Sequence, residues 1–111
     1  MTRLFIYTET FLKSWKKIGL RDDNLQDLEN ILLQNPQQGD VIKGTGGARK
    51  LRIHLHNNKG KSGGGRGIYV DIFEKERIYL IFAYPKSVQE NLTPEQIKVI
   101  KQIIDEIRKE K

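Results

Sequence analysis

The chain of 111 residues contains no cysteine, which removes disulfide scaffolds and thiolate metal sites and fits a reducing compartment. Its apolar runs fall short of the roughly 20 residues that span a bilayer. The opening segment, Met1 to Phe11, carries one early positive charge and a short apolar patch broken by Thr8 and Glu9. It lacks the long apolar core and small-residue cleavage site of a signal peptide, so a bacterial or archaeal cytosolic protein is expected, without contact to membrane. The absence that says most is local: no Asp or Glu stands between Lys43 and Arg66. That segment holds seven of the 20 Lys/Arg residues and seven of the ten glycines. Without it the chain has 13 bases against 14 acids, so the whole net charge of +6 sits there. Charge spread over a surface maintains solubility, whereas charge focused on one strand-and-loop segment makes a field for a polyanion.

The length suits one domain, residues 1–111, with a single core. Arg3 to Tyr7 reads as an opening strand. From Thr10 a helix carries Phe11, Trp15 and Ile18 on one side and ends at Gly19. Asp22 or Asp23 is the expected cap of a second helix through about Gln34, striped with Leu25, Leu28, Ile31 and Leu32, and Asn35-Pro36 stops it. A polar connection, Gln37 to Asp40, leads to three strands. In the first, Arg49 to His56, Leu51, Ile53 and Leu55 alternate with Lys50, Arg52, His54 and His56, so one face is apolar and the other cationic or titratable. The second runs from about Arg66 to Phe73. After a turn at Glu74-Lys75-Glu76 the third, Arg77 to Tyr84, is apolar enough to be central. Thr93-Pro94-Glu95-Gln96 is a capping box opening a last helix with Ile97, Ile100, Ile103, Ile104 and Ile107 inward. The order β-α-α-β-β-β-α predicts an α+β domain with a curled, mainly antiparallel sheet packed on helices.

Two nucleotide motifs fail on spacing. Gly60-Lys61-Ser62 lacks the upstream glycine of a P-loop, because that position is Leu55, and Gly44-x-Gly46 runs into Arg49 where a dinucleotide fingerprint requires a small residue. His54 and His56 share a face with Lys50 and Arg52, and a cation site walled by cations is electrostatically poor, so no metal site is expected. Phosphate chemistry fits better. Lys50, Arg52, His54 and His56 project from one strand face, Lys59, Lys61 and Arg66 come from the loop and strand beside it, and bare glycine backbone lets a phosphate approach. The bland alternative is a solvated cationic face beside a hairpin loop. Phe11 and Trp15 at helical spacing read as core or partner interface in preference to base stacking. Lys13, Lys16 and Lys17 form either a solvated helix face or a contact to RNA.

Three runs carry a resemblance over nearly the whole chain: Gly39 to Arg52 (GDVIKGTGGARKLR), Gly60 to Tyr69 (GKSGGGRGIY) and Ile78 to Lys86 (IYLIFAYPK). In order and spacing they resemble the RelE/ParE superfamily toxins of type II toxin–antitoxin modules, and the HigB branch in particular. The resemblance implies a RelE-like microbial-RNase fold and a ribosome-dependent mRNA endonuclease that cleaves message in the A site, without metal or cofactor. Its partners would be a cognate, HigA-like helix-turn-helix antitoxin and the ribosome with its mRNA and rRNA, with operator DNA reached only through the antitoxin. Carried over by position, Lys50, Arg52, Arg66 and Lys86 are the catalytic candidates. Arg66 would stabilise the phosphorane, and Lys50 would serve as base. Lys61 and Lys86 would hold RNA or rRNA phosphates, with Lys86 also assisting the leaving group. Arg49, His54, His56, Lys59, Lys61 and Tyr84 are the RNA- and ribosome-binding candidates. The pattern departs where many RelE toxins carry a base-stacking Tyr: here Gln89 to Thr93 has no aromatic residue, and Tyr84 or Tyr69 would be the substitute, although at strand positions each reads first as core or cross-strand packing. Pro85 and Gly67 are further departures. A ParE-like inhibitor of DNA gyrase and a non-enzymatic nucleic-acid-binding module are the alternative functions.

Overall fold

In a computed structural model that describes residues 2–53 and 64–110, the chain runs β1 (Leu4–Tyr7), α1 (Glu9–Ile18), α2 (Asp22–Gln34), β2 (Asp40–Val41), β3 (Arg49–Ile53), β4 (Gly65–Ile72), β5 (Arg77–Pro85) and α3 (Pro94–Lys109). The strands form one open sheet in the order β1-β5-β4-β3-β2. β1 pairs parallel with β5, and the other neighbours are antiparallel. The α+β class and mainly antiparallel sheet expected from the sequence are present. Among the described residues, no helix is long and apolar enough to cross a membrane.

Local chemistry explains the boundaries. The Thr8 hydroxyl accepts the Phe11 N–H at 3.1 Å to open α1, and α3 begins with the reciprocal box, Gln96 N–H to Thr93 Oγ1 at 3.1 Å and Thr93 N–H to Gln96 Oε1 at 2.9 Å. The cap of α2 differs from expectation. Arg21 is its N-cap, and its N–H donates to the side chain of Asn24 at 3.0 Å. Asp22 and Asp23 instead occupy the first turn, where the positive end of the helix dipole favours them. A second correction concerns the connection before β3, which contains the two-residue strand β2 paired Asp40 to Lys50 and Val41 to Arg49. Two residues show no alternation, so this strand has no signature in the sequence.

The sheet is covered on both faces. On one, α1 and α2 bury Phe11, Trp15, Leu28 and Leu32 against Leu51, Ile53, Tyr69, Ile78, Leu80 and Ala83. On the other, α3 packs Ile100, Ile104 and Ile107 on Ile68, Val70, Ile72, Tyr79 and Ile81. The loop between β2 and β3 supports α3. Gly47 sits at a φ of +118°, and a Cβ there would lie 3.1 Å from Arg108 Nη2. Thr45, fully buried, ties this loop by donating to Ile42 O at 2.7 Å and accepting from Ala48 N–H at 3.0 Å. The Gly44 to Gly47 run therefore builds a turn beneath a helix.

A β-bulge sets the faces of β5. Ile68 pairs with Phe82 but Tyr69 with Leu80, which leaves Ile81 as an extra residue. Ile78 and Leu80 face α1 and α2, and beyond the bulge it is Ala83 that does so. Tyr84 is thereby turned to the α3 face, together with Ile81 and Phe82.

Candidate active site

The register of three strands assembles the basic candidates. Arg52 on β3 pairs with Arg66 on β4, which pairs with Tyr84 on β5, while Lys50 pairs with Ile68 and Ile68 with Phe82. Directly paired residues point to the same side of a sheet. Ile68 belongs to the α3 face, so Lys50, Arg52, Arg66 and Tyr84 share that face, at the end of the sheet where β5 leaves it. Lys86 follows two residues after Tyr84, and its N–H donates to Gly64 O at 2.9 Å, which continues the ladder past Pro85. Lys50, Arg66 and Lys86 are half-buried and Arg52 is exposed. Arg66 is steadied by its Nη1 donating to Gly65 O at 3.0 Å. A row of Arg and Lys held on paired strands presents fixed donors and positive charge to a phosphate.

Tyr84 is 2% exposed, and its hydroxyl is buried with no hydrogen-bond partner among the described residues. Burial pushes the phenol above its ordinary value, and the nearby Arg66 charge acts in the opposite direction. At neutral pH the hydroxyl is therefore a protonated donor. Its ring is tilted against Phe82 with centroids 5.8 Å apart and presents no open stacking face. Tyr69, the other stacking candidate, lies on the opposite face, in the core under α1 and α2. Its Oη accepts the Gly39 N–H at 3.0 Å, and burial pushes its phenol up while that hydrogen bond and Arg49 oppose the shift.

Other candidates are placed elsewhere. The Arg49 guanidinium donates from Nη1 to Gln37 O at 3.0 Å and Gly39 O at 2.8 Å, anchoring the segment that leads into β2. His54, His56, Lys59 and Lys61 lie outside the described residues. Among those described, no group of His, Asp or Glu could hold a metal ion. Phe11 and Trp15 stack at 5.2 Å inside the core, with the Trp15 indole N–H donating to Arg21 O at 3.3 Å. Lys13 pairs with Glu9 at 3.1 Å on the exposed face of α1. Gly67 has a packing reason: a Cβ there would lie 2.9 Å from Ile53 Cδ1. Pro85 ends β5, where a missing N–H is tolerated at a sheet edge.

Sequence reading did not find the face of Tyr84, because strict alternation from Ile78 and Leu80 would put it under α1 and α2. Only the bulge at Ile81 reverses that parity.

The family model for the RelE toxin of the RelE/RelB toxin–antitoxin system matches residues 2–111. Among solved structures, the chain is similar to a mutant of the Escherichia coli toxin RelE in the free state, with 23% identity, a TM-score of 0.55, and coverage of 81% of this chain and 90% of that one. It is similar to a chain of the intact E. coli RelBE toxin–antitoxin complex at 24% identity and a TM-score of 0.51, covering 73% of this chain and 93% of that one. An archaeal RelE–RelB complex from Pyrococcus horikoshii OT3 matches at 21% identity and a TM-score of 0.50, covering 78% and 97%. At these identities the structures share the fold. Since the family match extends over residues 2–111, the chain belongs to the RelE toxin family of toxin–antitoxin systems.

Proposed function

We propose that this toxin is a ribosome-dependent mRNA endonuclease of the HigB branch that cleaves message in the A site by attack of a ribose 2′-OH on the adjacent phosphate. The observation that carries the reading is the cross-strand row of Arg52, Arg66 and Tyr84, with Lys50 on the same face and Lys86 at its end. The chemistry needs a base, an acid and donors for the charge of the phosphorane. Lys50 accepts the 2′-OH proton, and Arg66 donates its two-pronged hydrogen bonds to the equatorial oxygens. Tyr84, neutral and without a hydrogen-bond partner among the described residues, adds a hydrogen bond to the same phosphate beside Arg66. Arg52 holds the strand by charge, and Lys86 gives a proton to the 5′-oxygen as it leaves. The products are a 2′,3′-cyclic phosphate and a 5′-hydroxyl. Lys59 and Lys61, with His54 and His56, extend the RNA contact by charge and sequence position, and Arg49 supports it by fixing the chain beside β3.

The partner that neutralises the toxin is a cognate antitoxin, HigA-like with a helix-turn-helix. The solved complexes of RelE relatives with RelB support an antitoxin partner, and the HigA-like identity rests on the sequence resemblance alone. Expression without a partner is expected to arrest growth, with protein synthesis stopping before DNA synthesis in pulse labelling. If DNA synthesis stops first and gyrase is trapped on DNA while translation continues, the gyrase-inhibitor reading replaces this one.

A further inference from the structure

Lys50, Arg52 and Arg66 are fixed by strand pairing, whereas Lys86 stands past the end of β5, on the turn that leads to α3. Its own N–H donates to Gly64 O at 2.9 Å, and the N–H groups of Val88 and Gln89 both reach the Pro85 carbonyl, at 3.0 and 3.4 Å. Those bonds shape the turn but tie only its first residue to the sheet. Ser87, Val88, Glu90 and Asn91 are exposed, and Leu92 is the first apolar residue beyond the turn that packs against the core.

Gln89 supplies the missing fastening. Its Nε2 donates to Asn91 O at 3.0 Å and to Gln96 Oε1 at 2.8 Å, and its Oε1 accepts from Gln96 Nε2 at 3.4 Å. Gln96 is the third residue of α3, and its same Oε1 accepts the Thr93 N–H at 2.9 Å in the capping box. An amide oxygen has two lone pairs, and here one serves the helix cap and the other the turn. The turn that carries Lys86 and the first turn of α3 are thereby joined through a single side-chain pair.

We infer that Gln89, acting through Gln96, is a positioning residue for Lys86, the group that gives its proton to the leaving 5′-oxygen. The inference rests on the RNA-cleaving reading above. A general acid works only within hydrogen-bond reach of the atom it protonates, and a displacement of about 1 Å can cost two orders of magnitude in rate. Lysine carries its ammonium on a flexible four-carbon stem, so the backbone beneath it has to be held. Lys86 has one backbone bond to Gly64 and the amide pair three residues on to hold it. Charge attraction falls off slowly with distance. A loosened Lys86 therefore still draws RNA phosphates while it ceases to deliver a proton on time, and rate and affinity part company.

The test compares Gln89→Met, which keeps the length of the side chain and removes its donors, with Gln96→Glu, which keeps an accepting oxygen for Thr93 and Gln89. Gln89→Met should lower single-turnover cleavage of ribosome-bound message roughly tenfold while ribosome affinity holds, and in a Lys86→Ala background it should change nothing further. Gln96→Glu should cleave as the wild type does, and so should Gln102→Ala on the exposed side of α3. Exchange of the Lys86 amide, followed by NMR on the full chain, should quicken severalfold in Gln89→Met while the Ile104 amide within α3 keeps its protection. Equal losses of rate and affinity, the same loss in the Lys86→Ala background as in the wild type, or an unchanged Lys86 amide would overturn the inference. Cleavage by the wild type separates the two readings. Message left whole removes the endonuclease reading, while quickened exchange at Lys86 in Gln89→Met still upholds the tether. A cleaving wild type whose Lys86 amide is unmoved by the substitution removes the tether alone.

Discussion

Tyr69 and Tyr84 are both buried on paired strands, and burial raises the phenol of each. They face opposite sides of the sheet, and only Tyr69 is satisfied, by the Gly39 N–H at 3.0 Å. Tyr84 leaves a buried hydroxyl unpaired among the described residues, in line with Arg66 and Arg52. Buried polar groups in folded proteins are almost always hydrogen-bonded, so the exception marks Tyr84 as the residue to test. The comparison separates two faces of one sheet: on the α1/α2 face the Tyr69 hydroxyl is hydrogen-bonded, and at the end of the α3 face the Tyr84 hydroxyl has no partner among the described residues.

The largest effect that sharpens this contrast is at Arg66. Arg66→Ala should lower single-turnover cleavage of ribosome-bound mRNA by roughly 10²-fold or more, the scale of losing a transition-state donor, while ribosome affinity falls far less. Arg66→Lys should also be impaired, because a point charge cannot replace a two-pronged donor. Quench-flow cleavage beside a binding titration reads both, and full rescue by Lys would reduce Arg66 to an anchor.

The tyrosines themselves give a crossed pair of outcomes. Tyr84→Phe should lower the cleavage rate roughly tenfold, as expected for one hydrogen bond to a charged group, and should not reduce stability in urea, since an unpaired buried hydroxyl costs free energy. Tyr69→Phe should do the reverse, losing about 1–3 kcal/mol because the buried Gly39 N–H is orphaned, with the cleavage rate of the folded fraction intact. The opposite pairing of outcomes would break the comparison.

Gly67→Ala belongs with Tyr69. The added methyl meets Ile53, so stability should fall by about 1 kcal/mol or more, and Ile53→Val should recover part of it. A large loss of cleavage in the folded Gly67→Ala protein would show that the two faces are not independent. The smallest effect concerns charge. Neutralising Lys59 and Lys61 together should flatten the salt dependence of RNA affinity by about one to two units in the logarithmic slope. An unchanged slope would remove these two lysines from phosphate contact.

Much of this arrangement was legible in the sequence. The alternation through Arg49 to Ile53 told which residues share a face, and the capping box at Thr93 to Gln96 located α3. What stayed hidden depends on pairing between distant segments. β2 exists only because Asp40 and Val41 meet Lys50 and Arg49. The cap of α2 comes from the side chain of Asn24, which reaches back from the first turn to the Arg21 N–H. Arg49 looks from composition like another phosphate ligand, yet its guanidinium serves the carbonyls of Gln37 and Gly39. Tyr84 reaches the basic face through a bulge that no local pattern announces.

The central claim, that the basic row directs a 2′-OH at its own phosphate, is tested most directly by the ends of the cleaved message. Translating ribosomes programmed with a defined mRNA and given the purified toxin, in the presence of EDTA once initiation complexes have formed and with magnesium restored only to the level that keeps ribosomes intact, should yield A-site fragments ending in a 2′,3′-cyclic phosphate followed by a 5′-hydroxyl. Message left whole in the A site, or fragments bearing a 3′-hydroxyl and a 5′-phosphate, would contradict the account.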